Sequence, residues 1–114
     1  MRIESFGSVK IYWPDLNRDE LIARLRDQAK ALQDRLPMQR LFLFGSWAKA
    51  QATAFSDVDV LAVYKGPPRE DAYRLVWDTL RVEGLEPHVY SESEAATVAS
   101  VIDDWATEGV DLLS

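Results

Sequence analysis

Residues 40–64 read Arg-Leu-Phe-Leu-Phe-Gly-Ser-Trp-Ala-Lys-Ala-Gln-Ala-Thr-Ala-Phe-Ser-Asp-Val-Asp-Val-Leu-Ala-Val-Tyr. Two apolar runs, 41–44 and 60–64, read as buried strands. Between them stand Gly45-Ser46 and, after ten residues, Asp57-Val58-Asp59. A glycine at a strand end lets the backbone turn closely, and a helix starting at Ser46 would aim its free N–H groups at an anion. Asp57 and Asp59 are two apart on a strand, so both side chains leave one face, roughly 7 Å apart. Two like charges on a mostly buried strand are costly unless a cation sits between them. Mg²⁺ carrying a nucleoside triphosphate would supply that charge.

Working outward, Ser8–Trp13 is β-rich and is expected as an edge strand stopped by Pro14. Asn17 followed by Glu20 is a helix start with its supporting acid. Ile22, Leu25, Ala29, Leu32 and Leu36 then recur at three- and four-residue steps, predicting an amphipathic helix ended by Pro37. Strand 40–44 follows, then the Gly-Ser turn, a short helix over 46–51 and strand 57–64, which ends at Gly66-Pro67-Pro68. Tyr73, Val76, Trp77 and Leu80 form the expected stripe of a second long helix, with Gly84 placed to end it. Residues 85–90 read as a short strand. Ser91 or Ser93 caps a last helix with Val98, Val101, Ile102 and Trp105 as its stripe and Gly109 closing it. This order predicts an α/β fold, a two-layer sandwich with a small mixed sheet and helices on one side. The 114 residues suit a single domain, 1–114, with one core.

Gly45-Ser46, ten residues, then Asp57-Val58-Asp59 resembles the DNA polymerase β-like nucleotidyltransferase superfamily, and within it the minimal nucleotidyltransferases. The resemblance runs from about Lys10 to Leu113. It implies that Asp57 and Asp59 hold Mg²⁺, and that Gly45 and Ser46 hold the β- and γ-phosphates of ATP or another nucleoside triphosphate. The family's usual Arg-Gly after the Gly-Ser pair is Lys49-Ala50 here. Lys49 keeps a positive charge beside the phosphates but lacks the bidentate fork of arginine. The resemblance also implies a third acid on a neighbouring strand, a further metal ligand that helps deprotonate the acceptor. Glu86 is the choice, as the only carboxylate inside strand 85–90, and His88 is the alternative if the register shifts by two.

The remaining residues bound the function. Zero cysteines exclude disulfides, thiolate catalysis and a Cys-based zinc site, and one histidine excludes chemistry needing two. No apolar run approaches the ~20 residues of a membrane span, and the first residues lack a signal peptide's hydrophobic stretch, so the chain reads as cytoplasmic. A net charge of −6 argues against a broad nucleic-acid surface. Trp47 is read as a packing residue, with stacking on a base as the alternative. Trp77 and Trp105 are read as core or interface. Glu92 and Glu94 are read as caps of the last helix, and Asp19 and Glu20 as an ordinary first helical turn.

Two function classes follow. One is an enzyme that moves AMP or another nucleotidyl group to a hydroxyl. For stand-alone minimal nucleotidyltransferases the resemblance implies that the acceptor is a tyrosine on a small helical HEPN-family toxin, so that the chain acts as an antitoxin. The other is a module that keeps the fold and neutralises its partner by docking. A small-molecule transferase of the aminoglycoside-modifying kind is a third option, although such enzymes usually carry a helical domain that has no counterpart here. Self-association is left open.

Overall fold

The computed structural model describes residues 17–49, 52 and 56–113, so the expected edge strand 8–13 lies outside the described residues. Helix α1 spans Arg18–Arg35. It starts where its local chemistry says: Asn17 Oδ1 accepts the Glu20 N–H at 2.9 Å, and Glu20 Oε1 accepts the Asn17 N–H at 2.9 Å. It stops at Leu36, whose backbone is extended (φ −145°, ψ 97°) as the residue before a proline prefers. Leu21, Ile22, Leu25, Ala29 and Leu32 form its buried stripe, as the periodicity predicts.

Strands β1 (Met38–Phe44) and β2 (Val58–Tyr64) are antiparallel neighbours, and β3 (Leu85–Ser91) runs parallel to β2. A parallel pair needs a crossover, which helix α2 (Ala72–Thr79) provides. A bulge between Met38 and Arg40 inserts one extra residue. This is why Met38 and Leu41, three apart, both reach the same core. A two-residue strand, β4 (Val110–Asp111), completes the sheet order β3-β2-β1-β4 by pairing with Phe42 and Leu43. β4 was not anticipated, since two residues are too few to show an alternating pattern.

The expected α/β fold with a mixed sheet forms, but its helices cover both faces rather than one: α1 and α2 lie on one side. Val58, Val60, Ala62 and Tyr64 of β2 join them in the larger core. The other face carries a smaller cluster, Phe42, Leu61, Val63, Ala95 and Ile102, beneath the C-terminal helices. Buried from both sides, β2 reads as an unbroken apolar run after Asp59. Among the described residues no helix is long and apolar enough to cross a membrane.

Three local expectations need correction. The segment after Gly45 is a turn over 45–49 rather than a helix from 46 to 51, of which 50 and 51 are not described. Among the described residues the Lys49 N–H to Gly45 carbonyl bond (3.1 Å) alone closes helically there, and the Trp47 and Ala48 carbonyls accept from Arg18. Helix α2 is short and ends at Thr79, not Gly84, and it buries Ala72, Val76 and Thr79. Tyr73 and Trp77 stack on each other outside, 54% and 51% exposed. Both sets of residues satisfy helical spacing, so periodicity alone did not choose between them. The last helix is two: α3 (Glu92–Thr97), started by the Ser91–Glu94 capping box, and α4 (Ala99–Ala106). Thr97 Oγ1 donates to the Glu94 carbonyl (2.7 Å), the acceptor that the Val98 N–H would use in a continuous helix. The Val98 N–H turns to Ala95 instead, and the axis breaks.

Candidate functional site

Gly45 ends β1 in the left-handed region at φ +77°, a conformation that favours glycine. There is a second reason for its identity. A Cβ built at Gly45 would lie 2.6 Å from Asp59 Oδ2 and 3.4 Å from its carboxyl carbon. The Asp59 carboxylate therefore rests against the bare backbone of the Gly-Ser turn. Register places it there, since Asp59 is the β2 partner of Phe44, the residue before Gly45. The two motif halves, separated by ten residues in sequence, meet at the same end of the sheet.

On its other side Asp59 pairs in register with Glu86 on β3. His88, two residues on, brings Nε2 to 3.5 Å from Asp59 Oδ1, the outer limit of a hydrogen bond, and Nε2 has no hydrogen-bond partner among the described residues. The imidazole is held by aromatic rings. It meets Phe44 edge-on at 5.2 Å and Trp105 of α4 at 5.5 Å, and those two rings stack on each other at 4.9 Å. Trp105 thus forms one wall of the site, a role its place in an apolar stripe did not reveal. No sequence signal points to this role, since Phe44, His88 and Trp105 meet only through the strand order and the packing of α4.

Burial pushes the Asp59 carboxyl above the usual carboxylate range; His88 draws it part of the way back, and the charge of Asp57 adds to the upward push. Asp57 itself is exposed, immediately before β2, where the Val58 N–H donates to the Gly84 carbonyl at 2.8 Å. Ser46, Lys49 and Glu86 are exposed as well. The structure therefore brings together Gly45, Asp59 and His88. It does not draw Asp57, Asp59 and Glu86 into a closed metal cluster: among the described residues no group of three His, Cys, Asp or Glu side chains has that geometry. A two-carboxylate site still fits Mg²⁺, which is commonly held by one or two carboxylates with waters and substrate phosphates completing its shell. Among the described residues no Lys or Arg forms an ion pair with Asp57 or Asp59.

Trp47 packs half-buried against the larger core, with its Nε1 unpartnered among the described residues, in keeping with a packing role. Glu94 caps α3 as expected, while Glu92 accepts from the Gln39 side chain and the Gly66 N–H. One contributor was missed in sequence. Arg18, the first residue of α1, donates from Nε to the Trp47 carbonyl and from Nη2 to the Ala48 carbonyl, both at 2.9 Å.

Comparison with known proteins matches residues 25–112 to a family model described as a nucleotidyltransferase domain. A candidate nucleotidyltransferase from Sulfolobus solfataricus has a similar crystal structure, with a TM-score of 0.56 at 18% identity over 82% of this chain and 80% of that one. A mutant form of the MntA–HpeT toxin–antitoxin pair is similar with a TM-score of 0.50 at 20% identity, over 87% of this chain and 74% of that one. At these identities the likeness to both is one of fold. No curated protein matches the chain.

Proposed function

The chain belongs to the nucleotidyltransferase domain family, and from that premise we propose that it transfers AMP, or another nucleoside monophosphate, from a triphosphate to a hydroxyl on a protein partner. The observation that carries the reading is the Asp59 carboxylate seated on the Gly45 backbone, acid and phosphate turn in contact. The turn at Gly45 and Ser46 receives the β- and γ-phosphates, with Lys49 adding positive charge nearby. Asp57 and Asp59 are the residues that would hold Mg²⁺, which when bound neutralises charge on the phosphates. The acceptor hydroxyl oxygen forms a bond to the α-phosphorus, the bond from that phosphorus to the bridging oxygen breaks, and pyrophosphate leaves. Glu86, level with Asp59 on the neighbouring strand and open to solvent, takes the proton of the hydroxyl. His88 orients Asp59.

The acceptor we favour is a tyrosine of a small helical HEPN-family toxin, with this chain as the antitoxin in the cytoplasm. The structural likeness to a toxin–antitoxin pair supports this choice. So does the net charge of −6, which disfavours a polyanionic acceptor. Mixing the chain with the toxin encoded beside it, ATP and Mg²⁺ is expected to raise the toxin's intact mass by one or more AMP units. The gain should vanish, together with calorimetric ATP binding, in the Asp57→Asn, Asp59→Asn double variant. The second reading is a docking module, favoured by the absence of a three-ligand cluster among the described residues. A stable complex with no mass gain, untouched by the double substitution, would establish that one.

A further inference from the structure

Arg18 stands where helix electrostatics disfavour it. It is the first residue of α1, at the positive end of the helix dipole, where the neighbouring Asp19 and Glu20 are the expected residue type. A residue that breaks a local rule in this way marks a demand made from outside its own element. Here the demand is visible. Arg18 bridges 29 and 30 residues of sequence to donate Nε to the Trp47 carbonyl and Nη2 to the Ala48 carbonyl, both at 2.9 Å. Two parallel donors from one planar guanidinium fix direction as well as distance, which a lysine ammonium cannot do.

The consequence for the turn follows from peptide geometry. In a planar trans peptide the C=O of one residue and the N–H of the next point in opposite directions. Drawing the Trp47 carbonyl toward Arg18 therefore turns the Ala48 N–H away from α1. Drawing the Ala48 carbonyl the same way turns the Lys49 N–H toward the Gly45 carbonyl, which it meets at 3.1 Å. That bond closes the turn behind Gly45, the residue against which Asp59 rests. Among the described residues the 45–49 turn has one helical hydrogen bond of its own, and two of its carbonyls are oriented by a side chain on another element.

We infer that Arg18 is a positioning residue for the triphosphate: its fork fixes the 47–48 and 48–49 peptides, which turns the Ala48 N–H away from α1 and closes the turn behind Gly45 in the form that receives the β- and γ-phosphates. The inference rests on the nucleotide reading above. Arg18 does not itself touch substrate. It acts on the turn, so its effect is confined to the part of the nucleotide that the turn holds.

Titrating wild type, Arg18→Lys and Arg18→Gln with ATP and with AMP in the presence of Mg²⁺ tests this, alongside hydrogen exchange of the ligand-free proteins. Both variants are expected to bind ATP roughly tenfold more weakly, as loss of charge-assisted hydrogen bonds predicts, with AMP affinity unchanged because AMP has no β- or γ-phosphate. Exchange at the Ala48 and Lys49 amides should rise while the middle of α1 stays protected. Wild-type ATP affinity in both variants overturns the role, as does an equal loss for ATP and AMP, which marks general loosening. Full rescue by lysine also overturns it, since charge alone would then suffice. A wild-type chain that binds no ATP sinks the nucleotide reading instead, and the exchange data then still report whether Arg18 holds the turn.

Discussion

Along β2, Val58, Val60, Ala62 and Tyr64 turn toward α1 and α2 and are at most 2% exposed, whereas Asp59 on the opposite face leaves 27% of its side chain open. The strand is one and the backbone is the same. Alternation of side chains makes one face apolar throughout, while the other passes from Asp59 at the strand's start to the fully buried Leu61 and Val63. The cohesive face is backed by the long stripe of α1. The other face is buried over Leu61 and Val63 by Ala95, Ile102 and Trp105 from two short helices, and only its end, with Asp59, Glu86 and His88, is open. A domain of this size can keep an acid half-buried at a strand end because the other face supplies the burial that the acid's face gives up.

The division can be broken first on the cohesive side. Leu32 of α1 is fully buried in the larger core. Leu32→Ala is expected to lower stability by about 2–5 kcal/mol, a large share of the ~5–15 kcal/mol a domain commonly has. Urea unfolding measures the loss. ATP affinity of the folded protein should hold, and a matching fall in affinity would mean the two faces are coupled.

A smaller effect is expected from the charged side, on rate and not on stability. Glu86→Gln should leave ATP binding and the melting temperature near wild type while lowering transfer by roughly 10²-fold, the scale of a lost general base. His88→Ala tests the alternative assignment. If it cripples transfer while Glu86→Gln does not, the proton acceptor is the imidazole packed between Phe44 and Trp105.

The smallest effect sharpens the comparison most. Burial holds the Asp59 carboxyl above its unfolded range. In the interval between the unfolded and folded values the folded state binds more protons, so this group's contribution to stability falls as pH rises through that interval, and the cost is fully present above it. Asp59→Asn should therefore raise the melting temperature at neutral pH slightly, by less than the loss in Leu32→Ala. The gain should shrink to nothing as pH falls and the wild-type carboxyl takes its proton. A variant that melts lower than wild type at pH 7 would show that the His88 contact outweighs the burial cost.

Much of this molecule is legible in its sequence because the deciding interactions are local. Asn17 and Glu20 start α1 through bonds three residues apart, and Pro37 stops it through its own ring. The apolar run after Asp59 marks a strand buried on both faces, and the Gly45-Ser46 and Asp57-Val58-Asp59 spacing marks the candidate site, whose two halves meet through Gly45 and Asp59. Less legible were elements whose local signals tie. Tyr73 and Trp77 match a helical stripe as well as Ala72 and Val76 do, and only packing against α1 and β3 selects the smaller pair. The break at Val98 turns on one hydroxyl, that of Thr97, competing for one carbonyl.

What the sequence by itself determined is the set of elements and the identity of the charged residues between them, since caps, prolines and periodicity act within about four residues of chain. Tertiary structure alone decided which of those residues meet. His88 reaches Asp59 because β3 lies parallel to β2 in a particular register, Trp105 reaches His88 because α4 folds over that face, and Arg18 reaches the Gly-Ser turn because α1 packs beside it. These encounters are fixed by strand pairing and core burial summed over the whole chain, and no short window of residues contains that sum.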